Sequence, residues 1–272
     1  MPNHVMNKVI FDGPDKKIKE ILEAIQYDPD PKDEENTGIG SIDFNKIIPM
    51  PPELEIEAGW ATSVSIRVYL TAVNPLTLDY GVPKMDAGEF KKLLDILDSS
   101  RLISSFKREF SDEEMHDYLK DGTDYMGSGK QAMENITKYG APTWYEWRII
   151  NWGTKWNSYE THKWEDKTLF FETAWSPPIP VLDQLAKRYS DVVITLEWAD
   201  YDIGQNTGKI VYIHGTPVVD WEPETRNEAI EFACSVWGDG PEDWGYYLND
   251  EGKYIYDESH VPDEESKGEE TK

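Results

Sequence analysis

A chain of 272 residues can bury a sizeable core, either as one elaborated domain or as a domain carrying a substantial insertion. Its formal charge of −26, from 53 acidic and 27 basic residues, excludes the positive field that generic binding to duplex nucleic acid or to an anionic membrane requires. The single cysteine, Cys234, cannot close an internal disulfide or build a multi-thiolate zinc site, which fits a reducing cytoplasm.

The opening MPNHVMNKVIFDG lacks the long apolar run of a signal peptide, and no later stretch approaches the roughly 18 to 20 apolar residues that span a bilayer. The expectation is a soluble protein of the cytoplasm. His4 to Phe11 alternates in part and stops at Asp12-Gly13-Pro14, so it predicts a strand. Ile18, Ile21, Leu22 and Ile25 follow the i, i+3, i+4, i+7 spacing of one helix face. Asp28 to Asn36 is proline, charge and turn residues, and predicts a mobile loop. Gly40 to Ile48 reads as a second strand, closed by Pro49-Met50-Pro51-Pro52.

From Glu53 to Tyr139 the texture is helical. Asp86 to Leu97 carries one apolar stripe, Ser111 with Glu114 has the spacing of a capping box, and Ser128 to Tyr139 runs into Gly140 as a helix stop. Ala61 to Ala72 is ambiguous, because its β-branched residues favour strand and its context favours helix. Lys167 to Trp175 predicts an aromatic strand, Val181 to Tyr189 a helix, Val192 to Ala199 and Lys209 to His214 two strands, and Glu222 to Trp237 a last helix.

Strand, helix, strand, insertion, strand, helix, strand is the order of a ferredoxin-like (split βαβ) α+β fold, an antiparallel sheet with a large helical insertion and a C-terminal extension. The corresponding divisions are 1–52 and 141–237 for the two halves of the core, 53–140 for the insertion and 238–272 for an acidic tail. That tail holds 12 acidic and 3 basic residues, a net of −9, so −17 remains on the rest of the chain. Its last stretch, Pro262 to Lys272, predicts disorder.

Four segments carry a resemblance: PNHVMN at 2–7, FNKIIPMPPEL at 44–54, YGAPTWYEWRIINWGTKWN at 139–157 and FETAWSPPIPVLDQLAKRYSDVVI at 171–194. The chain resembles the YubB-type, ferredoxin-like proteins of bacteriophages, plasmids and integrated elements. The resemblance implies a ferredoxin-like core and a mobile-element accessory role, with no agreed enzymatic activity. The family's acidic pair before the glycine of the last turn is interrupted here by Tyr201, in Asp200-Tyr201-Asp202-Ile203-Gly204, which weakens a metal at that turn.

No catalytic constellation emerges, and neither a metal nor a cofactor is expected. Trp144 to Trp175 holds six of the eleven tryptophans. Trp144, Trp147, Arg148, Trp152, Lys155 and Trp156 could form an aromatic platform for a small ligand or single-stranded nucleic acid, or could be core residues. Gly153 would permit close backbone approach to a ligand. Asp200-x-Asp202-x-Gly204-x-Asn206 is an incomplete calcium loop, better read as a turn. His162, near Glu160 and Glu165, is a weak acid–base candidate. Gly127-Ser128-Gly129-Lys130 lacks the upstream glycine of a phosphate loop.

The leading expectation is a non-enzymatic interaction protein of a phage or other mobile element. Its partner would be a host protein with a basic surface, such as a nucleic-acid-binding defence complex (a CRISPR effector or a restriction enzyme). Asp112, Glu113, Glu114 and Asp117 in the insertion, and Asp239, Glu242 and Asp243 after the last helix, would bind it by nucleic-acid mimicry.

Overall fold

The computed structural model describes residues 3–33, 36–99, 109–165 and 167–258. Two compact units divide the chain: Met1–Pro49 with Asn151–Lys272, and Met50–Ile150. The second unit runs past the boundary at residue 140 that the sequence suggests. Residues 34–35 of the expected mobile loop, and the whole of Pro262 to Lys272, lie outside the described residues.

In the first unit, β1 (His4–Asp12) is the central strand. It is followed by α1 (Asp15–Ile25), whose Ile18, Ile21, Leu22 and Ile25 are all buried, as their spacing predicts. The chain leaves this unit after Pro49. The helices of the second unit are α2 (Trp60–Val73), α3 (Ala87–Ser99), α4 (Asp112–Lys120) and α5 (Tyr125–Tyr139), with α6 (Trp144–Trp152) running across the division. Back in the first unit come β2 (Tyr159–Glu165), β3 (Thr168–Ala174), α7 (Ile179–Arg188), β4 (Val193–Asp200), β5 (Thr207–Ile213), β6 (Thr216–Trp221), α8 (Arg226–Trp237) and a hairpin of β7 (Tyr246–Leu248) and β8 (Tyr254–Tyr256).

The sheet has the order β2-β3-β1-β4-β5-β6, with every neighbouring pair antiparallel. Because β3 lies between β1 and β2, those two run parallel without touching, and β1 separates β3 from β4 in the same way. These are two interlocked split βαβ units, the ferredoxin-like arrangement. Strands β5 and β6 extend it.

The second strand of the first unit is therefore β2, and Gly40 to Ile48 forms no strand. Phe44–Lys46 is instead a single 3-10 turn, because the Asp43 side chain accepts from Asn45 N at 2.9 Å and offers the backbone a local alternative to a ladder. The apolar residues Ile42, Phe44 and Ile47 are nevertheless buried, and Phe44 meets Trp152 and Phe171 edge to face, at 5.7 and 5.9 Å. The Arg188 guanidinium donates to the carbonyls of Lys46 and Ile47, at 2.9 and 2.8 Å, which fixes the end of α7 to this turn. β2 itself reads YETHKWE, an edge strand with two register shifts and little alternation, so periodicity misses it.

Val5, Val9 and Phe11 on one face of β1 are buried, on the side where Phe44 packs against Phe171. On the other face α8 packs on Met6 and Ala199 through Ile230, Ala233 and Cys234. That face also carries the buried Glu197, which pairs with Lys8 at 3.2 Å and Lys209 at 2.9 Å across three adjacent strands. Between Gly238 and Glu258 the chain is structured, since Asp257 N bonds Gly245 O and closes the β7–β8 hairpin. The tail expected from residue 238 is thus part of the first unit.

In the second unit, α2 settles the ambiguity of Ala61 to Ala72. Thr62, Val64, Ser65, Ile66, Val68, Leu70, Thr71, Ala72 and Val73 are all buried, so most of the helix surface is covered and a narrow stripe at Trp60, Ser63 and Arg67 reaches solvent, too little for a clear polar face. Ile66 and Leu70 meet Leu97 of α3 and Ala132, Met133 and Ile136 of α5. Val64, Val68 and Ala72 meet Phe110, Met115 and Tyr125. The helix α5 approaches α2 so closely at Gly129 that a Cβ there would overlap the Ser65 carbonyl oxygen and stand 2.8 Å from the Tyr69 Cβ. Gly129→Ala should therefore lower the stability of this unit by about 1–3 kcal/mol. Urea unfolding followed by circular dichroism reads the change.

Candidate functional site

The two acidic sets belong to different units. On α4, the capping box forms as its spacing predicts: Glu114 N donates to Ser111 Oγ (3.3 Å), and Ser111 N to Glu114 Oε2 (2.8 Å). Glu114 is thereby committed to the helix end, and Asp112 accepts from the Tyr80 hydroxyl at 2.5 Å. The Tyr80 phenol is pushed up to about 12, first by desolvation and then by Asp112. Asp112, Glu113 and Asp117 remain exposed. In the other unit, Asp239, Glu242 and Asp243 surround the turn Pro241–Trp244 that follows α8, where Gly240 N donates to Asp243 Oδ2 at 2.8 Å.

Burial divides the tryptophan block. Trp152 is fully buried and donates from Nε1 to Ile48 O at 2.9 Å, while Trp147 keeps only an edge in solvent. Trp144 is half-buried under the Arg148 guanidinium, 4.9 Å from the ring centre, and Arg148 also pairs with Glu55 at 3.0 Å. Lys155 lies 4.8 Å over Trp156, which meets Tyr159 edge to face. Trp144, Trp147 and Arg148 fall in the helical unit, whereas Trp152, Lys155 and Trp156 fall in the sheet unit. Gly153 is needed for a protein contact, since a Cβ there would stand 2.8 Å from Pro180 Cδ.

The turn after β4 is organised by one side chain. Asp200 is 5% exposed, and its Oδ1 accepts from Asn3 Nδ2 at 3.2 Å and from Asp202 N at 2.9 Å. Its Oδ2 accepts from Asn206 Nδ2 at 3.3 Å, and that same amide donates to Trp175 O at 3.1 Å. The carboxylate offered to a cation in the calcium-loop reading is thus turned inward onto protein donors. Among the described residues no group of three or more His, Cys, Asp or Glu side chains could hold a metal ion. Also among them, no helix is long and apolar enough to cross a membrane.

Tyr201, beside this hub, is 59% exposed and meets Trp237 and Trp244 edge to face at 5.7 and 5.1 Å. Trp175 is 54% exposed and sits at φ +73°, a left-handed backbone that L-residues rarely adopt. The sequence offers Trp175 as either a platform or a core residue, Tyr201 as an interruption of the acidic turn and Trp237 as part of the last helix, and it does not bring these residues together. Each of Trp175 and Tyr201 directly follows a strand and precedes turn residues, the one signal that sets them apart.

The remaining candidates lie apart from this turn. Gly127 to Lys130 lies inside α5, and Lys130 pairs with Glu134 on the next turn at 3.8 Å. The side chain of His162 lies outside the described residues. Cys234 is buried, and its thiol is pushed up to about 12, first by burial and then by Asp239, Asp243 and Glu242.

Residues 151–238 match the family model described as a ferredoxin-like domain in Api92-like protein. The matched segment holds β2 to β6, α7 and α8, so it covers the sheet except for β1. The crystal structure of the protein Api92 from Yersinia pseudotuberculosis is similar over 83% of this chain and 99% of that one, at 11% identity and a TM-score of 0.35. No curated protein matches the chain.

Two outcomes follow from the site chemistry. Asp200→Ala removes the acceptor of three N–H donors and should cost about 2–3 kcal/mol, with a shift in tryptophan emission as Trp175 is released; denaturation and fluorescence measure both. For Cys234, the unfolded thiol ionises near its ordinary value of 9 while the folded thiol stays protonated to about 12. Its contribution to stability is complete below pH 9 and is lost as pH rises from there towards 12. Cys234→Ala should therefore flatten the alkaline limb of stability against pH, and the native thiol should resist a disulfide reagent at pH 8 that labels it in urea.

Proposed function

We propose that the protein is a non-enzymatic accessory protein of a phage or other mobile element that binds a host protein through its acidic surface in the host cytoplasm. The observation that carries this is a charge of −26 with exposed carboxylates on both compact units, Asp112, Glu113 and Asp117 on α4 and Glu242 and Asp243 after α8. A field of this sign steers association with basic surfaces and opposes approach to phosphate backbones and anionic lipid. A matching partner is a nucleic-acid-handling defence complex, a CRISPR effector or a restriction enzyme, whose basic groove would take carboxylates where phosphates bind. Occupying that groove inhibits without chemistry and so needs no cofactor. The mobile-element origin rests on the four resembling segments.

Affinity capture on purified candidate effectors, with a salt gradient, tests the proposal. Binding should weaken steeply between low and moderate salt as charges are screened. Neutralising Asp112, Glu113 and Asp117 to the corresponding amides, or Glu242 and Asp243 likewise, should reduce affinity by about tenfold for whichever set is engaged. A complex indifferent to salt and to both sets would refute the acidic-surface reading.

A further inference from the structure

The backbone of Trp175 is held in its left-handed conformation from both sides. Its N–H donates to Asn3 O at 3.0 Å, and its carbonyl accepts from Asn206 Nδ2, while Asn206 itself adopts φ +38°. Both asparagines are fixed by the Asp200 carboxylate. The conformation is unfavourable for an aromatic residue, and burial does not repay it, because the ring stands more than half in solvent. A glycine would relieve the strain at once, so the ring itself is what the network retains.

One residue along β1, His4 O accepts from Tyr201 N at 2.8 Å, so the Tyr201 and Trp175 backbones leave the sheet on either side of the same strand end. Tyr201 is braced by Trp237 and Trp244, whose rings are 5.7 Å apart. The indole Nε1 of Trp244 is buried there with no acceptor among the described residues. Asp202, Asp239, Glu242 and Asp243 neighbour these rings in sequence, and Asp202, Glu242 and Asp243 are exposed. Three of them follow the C-terminal end of α8, the negative pole of a helix, and the last turn of α8 carries no basic residue.

We propose that Trp175, Tyr201, Trp237 and Trp244, with this carboxylate rim, form the docking face for an arginine-bearing segment of the partner protein. The proposal rests on the acidic-surface reading and names where that surface is specific. A guanidinium is planar and weakly hydrated, so it stacks on an aromatic face while its N–H groups reach carboxylates. An ammonium does the first less well. A nucleic acid could stack on the rings, but its phosphates would meet the rim.

The test uses the full chain and three capped probes: a hexapeptide of alternating arginine and glycine, its lysine counterpart, and a thymidine hexanucleotide. Binding is followed by calorimetry and tryptophan fluorescence at low salt. The arginine peptide should bind several-fold more tightly than the lysine peptide and quench the emission. Tyr201→Ala should weaken it by about tenfold, and Tyr201→Phe should restore most of the loss. Trp175→Gly should weaken it similarly while leaving the melting temperature unchanged or higher. Neutralising Asp112, Glu113 and Asp117 on α4 should leave peptide binding unaltered.

If Tyr201→Ala and Trp175→Gly bind as the parent does, the docking face is overturned while the acidic-surface reading stands. Preference for the oligonucleotide overturns the assigned occupant. Absence of binding to either basic peptide at low salt overturns the face, and the salt-gradient capture on candidate effectors then decides separately on the acidic surface.

Discussion

One carboxylate holds together the end of the sheet on which the exposed aromatics sit. Asp200 closes β4, and its two oxygens gather donors from the residue before β1, from the turn that follows β4, and from the start of β5. Through Asn206 it also reaches the residue just after β3, at the Trp175 carbonyl. A lysine in that position could have paired with the charge, yet it would have spanned one contact where three amide donors span three chain segments. The strained backbone of Trp175 and the direction of the Tyr201 turn both depend on that choice.

Much of the fold was legible because local chemistry and tertiary position agree. The Ile18, Ile21, Leu22 and Ile25 stripe, the Ser111–Glu114 box and the αL cap at Gly140 each act within a few residues. The misreadings share a different cause. Gly40 to Ile48 has the apolar residues of a strand and buries them, but the ladder position it would fill is taken by β2, more than a hundred residues later. β2 is an edge strand with bulges and a polar face, so nothing in its own seven residues announces it. The candidate site was half legible. Aromatic richness marked the right part of the chain, but the same residue type serves opposite ends in Trp152, sealed against Phe44, and Trp175, turned to solvent. Trp152 closes a helix, whereas Trp175 follows a strand with a positive φ that Asn206 and Asp200 help to hold from a distance.

The acidic residues divide in the same manner. Glu114 is committed to a helix end, Glu197 to two lysines across the sheet, Glu55 to Arg148, and Asp200 to the amide hub. Those carboxylates are architecture. What remains for a partner is a smaller set on α4 and after α8, so total charge overstates the surface on which recognition can act while still setting the long-range field. Screening by salt would weaken the field before it touched the architecture.

The place of the helical unit in the chain bears on how the molecule folds. β1 finds both of its partners, β3 and β4, only after the whole of Met50–Ile150 has been made. A flexible segment of that length would make the closure slow and leave a central strand unpaired, with its edges open to aggregation. The indole of Trp152 bonds the Ile48 carbonyl, so the entry to and the exit from the helical unit are pinned side by side. A helical unit that folds first on its own local contacts would shorten the effective loop from a long chain to a short staple. The entropy of closing the sheet would then be set by that staple and would no longer grow with the length of the insertion.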